Sequence, residues 1–128
     1  MNTLQKIKST FENEFKLISD KFVVLEENLS DLADSKTKHI YNPGVYIYFD
    51  KEKIIKVGKY LTNSRKRALE HIQANTGIEG FEMSKLSIDS NAKVALINVI
   101  DPKDYYWVAT VEIFLEKELR PIIKSKRN

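Results

Sequence analysis

The sequence lacks cysteine altogether and holds little glycine, proline or tryptophan. With no cysteine in 128 residues, disulfides, cysteine zinc sites and thiol chemistry are excluded. Four glycines and three prolines are too few for a low-complexity or collagen-like chain. No apolar run approaches the roughly 20 residues of a membrane span, so we expect no membrane partner and a cytoplasmic location. What is left is an ordinary globular chain, long enough to build a core from apolar side chains.

The charge is nearly balanced, with 21 basic and 18 acidic side chains, but it is unevenly distributed. Residues 1–40 carry a net charge of −1 and residues 41–128 one of +4. Within residues 51–67, seven lysines and arginines accompany one acid, Glu52. Basic clusters of this kind suit contacts with phosphates. A solvated lysine-rich surface is the alternative interpretation of the same cluster.

The first 41 residues are predicted to form an N-terminal amphipathic helical extension. Apolar residues recur every seven positions, a spacing typical of one helix face. These residues are Leu4, Phe11, Ile18, Leu25 and Leu32. No glycine or proline interrupts them, so the segment forms one long helix or two helices broken near Ser19 and Asp20. We expect the helix to pack on its own domain; a homodimer or a protein partner held through this helix is the alternative.

Residues 42–128 are predicted to form a separate domain, because Asn42-Pro43-Gly44 ends any helix. Short runs of apolar, aromatic and β-branched residues indicate buried strands. Two segments of helical character follow the hairpin and the third strand, and the second of them ends at Pro121. The predicted elements are strands 44–49, 54–57 and 92–100 and helices 62–73 and 105–120. The expected fold class is therefore α+β, a small three-stranded antiparallel sheet flanked by helices.

Two of the predicted helices carry side chains that could form a binding or catalytic site. Arg67 and His71 are four residues apart, so they lie on one helix face and can act on one ligand. The residues alone favour an ordinary solvated imidazole beside Glu70 as the interpretation of His71. In the last helix Glu112 falls inside the apolar stripe, where a carboxylate must be paired, hydrogen-bonded or metal-bound. Glu118 has a similar place on the helical wheel nearer the helix end, and the wheel alone does not choose between the two glutamates.

The order of these pieces resembles the GIY-YIG nuclease superfamily over Pro43 to Pro121. Gly44-Val45-Tyr46 is close to the family's GIY motif, and Lys56-Val57-Gly58 stands after nine intervening residues, where YIG is expected. Lys56 replaces the second motif tyrosine, as in members whose motif reads KIG. The two motif halves fall on the two strands of the predicted hairpin.

The remaining family positions are also matched in order. The family places an arginine about nine residues after the motif glycine, often with histidine or tyrosine four residues later, and Arg67 and His71 stand there. It places a metal-binding glutamate about nine residues before a proline, a spacing that fits Glu112 and not Glu118. The family's asparagine three residues after that proline is replaced by Lys124.

The resemblance implies metal-dependent hydrolysis of DNA phosphodiester bonds. Glu112 would hold one Mg²⁺ or Mn²⁺ through oxygen. Tyr46 would orient or deprotonate the attacking water, with Lys56 across the hairpin lowering the pKa of the phenol. Arg67 would bind the scissile phosphate, and His71 would contact it or relay a proton.

The DNA partner would be held mainly through its backbone. Lys59, Arg65 and Lys66 are expected to contact phosphates on either side of the cleaved bond, which gives salt-sensitive affinity without sequence specificity. A catalytically inactive module of the same fold, binding nucleic acid or protein, is the alternative.

Overall fold

The computed structural model describes residues 2–62 and 92–124, so most of the predicted helix at 62–73 lies outside the described residues. Within these ranges the fold is α+β, as predicted, with two helices and a four-stranded antiparallel sheet. The helices are α1 (Thr3–Glu14) and α2 (Tyr106–Leu119), and the strands are β1 (Phe22–Asn28), β2 (Gly44–Asp50), β3 (Lys53–Tyr60) and β4 (Ala92–Val99). No helix in these ranges is long and apolar enough to cross a membrane.

The strand order of the sheet is β1-β4-β2-β3, with every neighbouring pair antiparallel. The predicted hairpin is confirmed: β2 and β3 are joined by Lys51 and Glu52, and Lys51 has a positive φ of 54°. The third predicted strand is confirmed as β4, which pairs with β2. Because β2 lies between β3 and β4, the start of β2 meets the ends of both neighbouring strands.

The prediction of helix through residue 32 is wrong beyond α1. Residues Phe22–Asn28 form β1, which pairs with β4 from Phe22 opposite Val99 to Asn28 opposite Lys93. The physical reason is that Val23 and Val24 are β-branched and suit a half-buried strand. Their pairing also covers an apolar edge of β4 that would otherwise be exposed. The sheet therefore has four strands in place of the three predicted, and the first 41 residues contribute one of them.

Each face of the sheet carries its own apolar cluster. The face that we call the helical face is covered by α1 and α2, and the opposite face, the loop face, is covered by residues 29–40 and Ile123. The helical face includes Val45, Ile47 and Val57 under Val108, Val111 and Leu115 of α2. The loop face includes Tyr46, Tyr48, Ile55 and Leu96 under Leu29, Leu32 and Ile40.

The chain turns back onto β3 after α2. Arg120 adopts a left-handed conformation with a φ of 51°, and Pro121 follows, so the predicted helix stop is confirmed. The backbone N–H groups of Ile122 and Ile123 donate to the carbonyls of Ile54 and Ile55, at 3.1 and 2.8 Å. This pairing covers the first half of the outer edge of β3.

Candidate functional site

Glu112 is a buried carboxylate in the middle of α2. It is 2% exposed, whereas Glu118 lies at the exposed end of the same helix. The structure therefore distinguishes the two glutamates that the helical wheel left open. Glu116, one turn after Glu112, is also buried at 8% exposure, and the sequence reasoning missed it. Its spacing of four residues from Glu112 is the signal that could have found it.

Lys59 supplies positive charge beside Glu112. Lys59 lies opposite Val45 in the register of β2 and β3, which places it on the helical face. Its Nζ is 3.9 Å from Oε1 of Glu112, and 38% of its side chain is exposed. A buried carboxylate beside an ammonium group is less costly than an isolated one. Lys59, predicted as a DNA contact, thus also compensates the charge of Glu112.

Replacing Lys59 with methionine is expected to lower the free energy of unfolding by about 1 kcal/mol in EDTA, because it removes this charge partner of a buried carboxylate. Urea denaturation measures the change. Lys53→Met, at an exposed position on the same strand, is the matched control and should change stability by less than about 0.5 kcal/mol. If Lys59→Met lowers the free energy of unfolding equally in a Glu112→Gln background, the Lys59–Glu112 pair contributes nothing to stability.

Tyr46 packs against the motif glycine Gly58. Tyr46 is 1% exposed and lies opposite Gly58 in the sheet register, on the loop face. A Cβ atom added to Gly58 would come within 2.3 Å of Cζ and Oη of Tyr46. Only glycine therefore fits beneath this ring. Lys56 is opposite the neighbouring Tyr48 and is itself 9% exposed.

The predicted site residues that the structure describes fall into two groups on opposite faces of the sheet. Tyr46 and Lys56 belong to the loop face by register, and Lys59 and Glu112 to the helical face. The groups meet through the backbone, because Gly58, under the Tyr46 ring, directly precedes Lys59. Among the described strands β3 lies at the edge of the sheet, so this edge is where the two groups are closest to a common ligand. The other predicted site residues, Arg65, Lys66, Arg67 and His71, lie outside the described residues.

Gly44, the first motif glycine, is held by close contact with β4. A Cβ atom added there would lie 2.0 Å from Oδ1 of Asn98 and 2.6 Å from the carbonyl oxygen of Ile97. The Asn98 Nδ2 donates to the carbonyl of His39 at 3.0 Å, which ties the segment before β2 to the sheet. Sequence reasoning missed Asn98, because nothing in the pattern of β4 distinguishes it from an outward-facing polar residue.

The two buried carboxylates of α2, one helical turn apart, fit a hard cation by their chemistry. Mg²⁺ takes oxygen ligands and is commonly bound through one or two carboxylates, with water filling the other positions. Glu112 and Glu116 are the residues that would hold such an ion. In the part of the chain that the structure describes, no cluster of three or more histidine, aspartate or glutamate side chains is arranged to hold a metal.

Comparison with known proteins returned no protein-family profile, no curated protein and no solved structure that matches this chain. The function is therefore argued from the motif residues and from the geometry described above. The described geometry bears on four of the predicted positions, namely Tyr46, Lys56, Lys59 and Glu112.

Proposed function

We propose that this protein is a metal-dependent endonuclease of the GIY-YIG type, which hydrolyses DNA phosphodiester bonds at a site built around Glu112. The observation that carries the proposal is the pair formed by Glu112, 2% exposed, and Lys59, the residue that directly follows the KVG motif. Burying a carboxylate costs free energy that an apolar residue would not cost at this position. A functional requirement for the carboxylate explains why it is there.

Carboxylate and ammonium groups have complementary roles in the proposed site. Glu112, supported by Glu116 one turn later, offers oxygen ligands to Mg²⁺ or Mn²⁺; the bound cation would activate water and stabilise charge on the phosphate. Lys59 offsets the charge of Glu112. Because more than a third of its side chain is exposed, Lys59 also presents its ammonium group to a DNA phosphate.

The other motif residues are given supporting roles in the proposal. Arg67 binds the scissile phosphate through its planar guanidinium, and His71 contacts that phosphate or relays a proton. Tyr46, 1% exposed, orients the attacking water only if its hydroxyl reaches the edge of β3; its packing against Gly58 also positions Lys59. Lys56 supplies positive charge beside Tyr48 on the loop face.

A second candidate function is nucleic-acid binding without cleavage. The burial of Tyr46 on the face opposite Glu112 favours this function, because a residue that acts as a general base must reach the water molecule that it deprotonates. In this alternative Lys59, Arg65 and Lys66 still contact the DNA backbone.

Cleavage of supercoiled plasmid and of branched DNA in Mg²⁺, Mn²⁺ or EDTA tests the proposal. We expect nicking by the wild-type protein in either metal and none in EDTA. Arg67→Ala, purified identically, should lose most of the nicking activity because the phosphate loses its bidentate partner. Nicking of equal rate by this variant would point to a contaminant or to another site. Salt-sensitive DNA binding with no nicking would favour the binding module. The absence of both nicking and DNA binding would overturn both proposed functions.

A further inference from the structure

The accessible tyrosines cluster at one end of the sheet. Tyr46 and Tyr48 are buried, and the other four of the six tyrosines are half-buried or exposed. These four lie just before β2, at the end of β3 and at the start of α2. They are Tyr41, Tyr60, Tyr105 and Tyr106. The sheet register brings these segments together, because Gly44 pairs with both Tyr60 and Asn98.

Three aromatic rings at the start of α2 form a row. The ring centroids of Tyr105 and Tyr106 are 6.0 Å apart, and those of Tyr106 and Trp107 are 5.6 Å apart. Tyr105 is 48% exposed and Tyr106 is 59% exposed. Such rings leave aromatic surface open to solvent, and aromatic surface of this kind accepts a stacked base of any sequence.

The first ring of the row lies on the side of α2 that carries Glu112. Tyr105, the N-cap residue of α2, precedes Glu112 by seven residues, close to two full turns, so it lies about 10 Å away along the helix axis. On β3, Tyr60 directly follows Lys59, so its side chain lies on the opposite, loop face of the sheet and does not belong to this row. A single strand that places a phosphate at Lys59 can place a neighbouring base near Tyr105 on the helical face.

The charges at this end are mixed. Lys103 lies between Asp101 and Asp104 in the turn before α2. The turn therefore carries a net charge of −1 and does not attract phosphates, so the rings have to provide any affinity there. This is why the occupant expected at the rings is an unpaired base and not the backbone of a duplex, whose bases are stacked on each other.

We infer that Tyr105 and Tyr106 form a stacking platform for unpaired bases, so that the substrate is single-stranded DNA or DNA with a single-stranded branch. This inference rests on the proposed function, since it assumes that the chain binds nucleic acid near Glu112. It adds the substrate class, which the motif residues leave open.

The single tryptophan of this chain allows base stacking to be measured directly by fluorescence. Because Trp107 contacts the ring of Tyr106, a base that stacks on Tyr106 should quench its fluorescence. We expect quenching by a short oligothymidine and much less by an abasic strand of the same length, which carries the same phosphates without bases. Affinity for the oligothymidine should exceed that for the abasic strand by about tenfold or more.

Substitutions at the rings supply the second arm of the experiment. Tyr106→Ala is expected to weaken oligothymidine binding about tenfold and to leave abasic-strand binding unchanged, whereas Tyr106→Phe, which keeps the ring, should bind like the wild type. Ile113→Ala is the matched control, since Ile113 is an exposed apolar residue of the same helix at 52% exposure. Its binding should not change.

Equal binding of the oligothymidine and the abasic strand, or an unchanged affinity in Tyr106→Ala, would overturn the inference and leave this surface to a protein partner. The nuclease proposal fails separately. Ring-dependent binding without metal-dependent cleavage would refute catalysis and support the platform. Cleavage that is insensitive to the tyrosine rings and to strandedness would support the nuclease and refute the platform.

Discussion

Replacing Glu112 with glutamine is expected to reduce metal-dependent DNA cleavage by about a thousandfold, the size of effect seen when a key charge-stabilising group is removed. Glutamine keeps the size of the side chain and removes the negative charge that a hard cation requires. The variant should remain folded, because the substitution replaces a buried charge with a neutral amide of the same shape. Single-turnover nicking rates in Mg²⁺ and in Mn²⁺ measure the effect.

Glu118→Gln is the matched control for this prediction. Glu118 lies on the same helix, six residues further on, and is exposed, so its charge should not matter for cleavage. Thermal unfolding of both variants in EDTA distinguishes lost catalysis from lost folding. If Glu112→Gln is folded and cleaves at the wild-type rate, Glu112 does not hold the metal. If both variants lose activity equally, the effect is one of overall charge.

Replacing Gly44 with alanine is expected to lower the free energy of unfolding by about 3 kcal/mol, at the upper end of overpacking effects. The added methyl group would lie 2.6 Å from the carbonyl oxygen of Ile97 and 2.0 Å from Oδ1 of Asn98. To relieve this clash, β2 and β4, the two inner strands of the sheet, have to move apart at the position where Gly44 pairs with Asn98. For a chain of this size, the melting temperature should fall by roughly 10 °C.

Gly58→Ala provides a contrast to Gly44→Ala, because the added methyl group clashes with a side chain at Gly58 and with the backbone at Gly44. At Gly58 the added methyl group meets the ring of Tyr46, so a second substitution, Tyr46→Ala, should recover part of the lost stability. At Gly44 the second substitution Asn98→Ala should not, because the Ile97 carbonyl oxygen remains in place. Double-mutant cycles measured by urea denaturation test this contrast. Wild-type stability in Gly44→Ala would contradict the register between β2 and β4.

Local patterns predicted the elements that surround the candidate site. Two apolar, aromatic and β-branched runs on either side of a polar turn indicated the hairpin of β2 and β3, and Pro121 marked the end of α2. The helical period also indicated that Glu112 lies in the apolar stripe, and it is buried. These features depend on residues within a few turns or one hairpin, which is the range over which periodicity carries information.

The N-terminal segment shows where local patterns fail. A repeat of seven predicted one helical stripe, yet Phe11 lies on α1 and Leu25 on β1. The two side chains pack on opposite faces of the sheet. Because β1 is separated from β4 by more than 60 residues, the pairing that makes it a strand is invisible to a short sequence window.

The sequence by itself determined the α+β class, the hairpin, the last helix and the glutamate in its buried stripe, since each follows from spacing along one element. Only the tertiary structure decided the fourth strand, the contact of Lys59 with Glu112, and the placement of Tyr46 and Glu112 on opposite faces of the sheet. Those outcomes depend on sheet register, which includes a shift between Tyr48 and Phe49. A shift of one residue moves side chains to the other face, so the partners of a strand residue are set by pairings that no single element encodes.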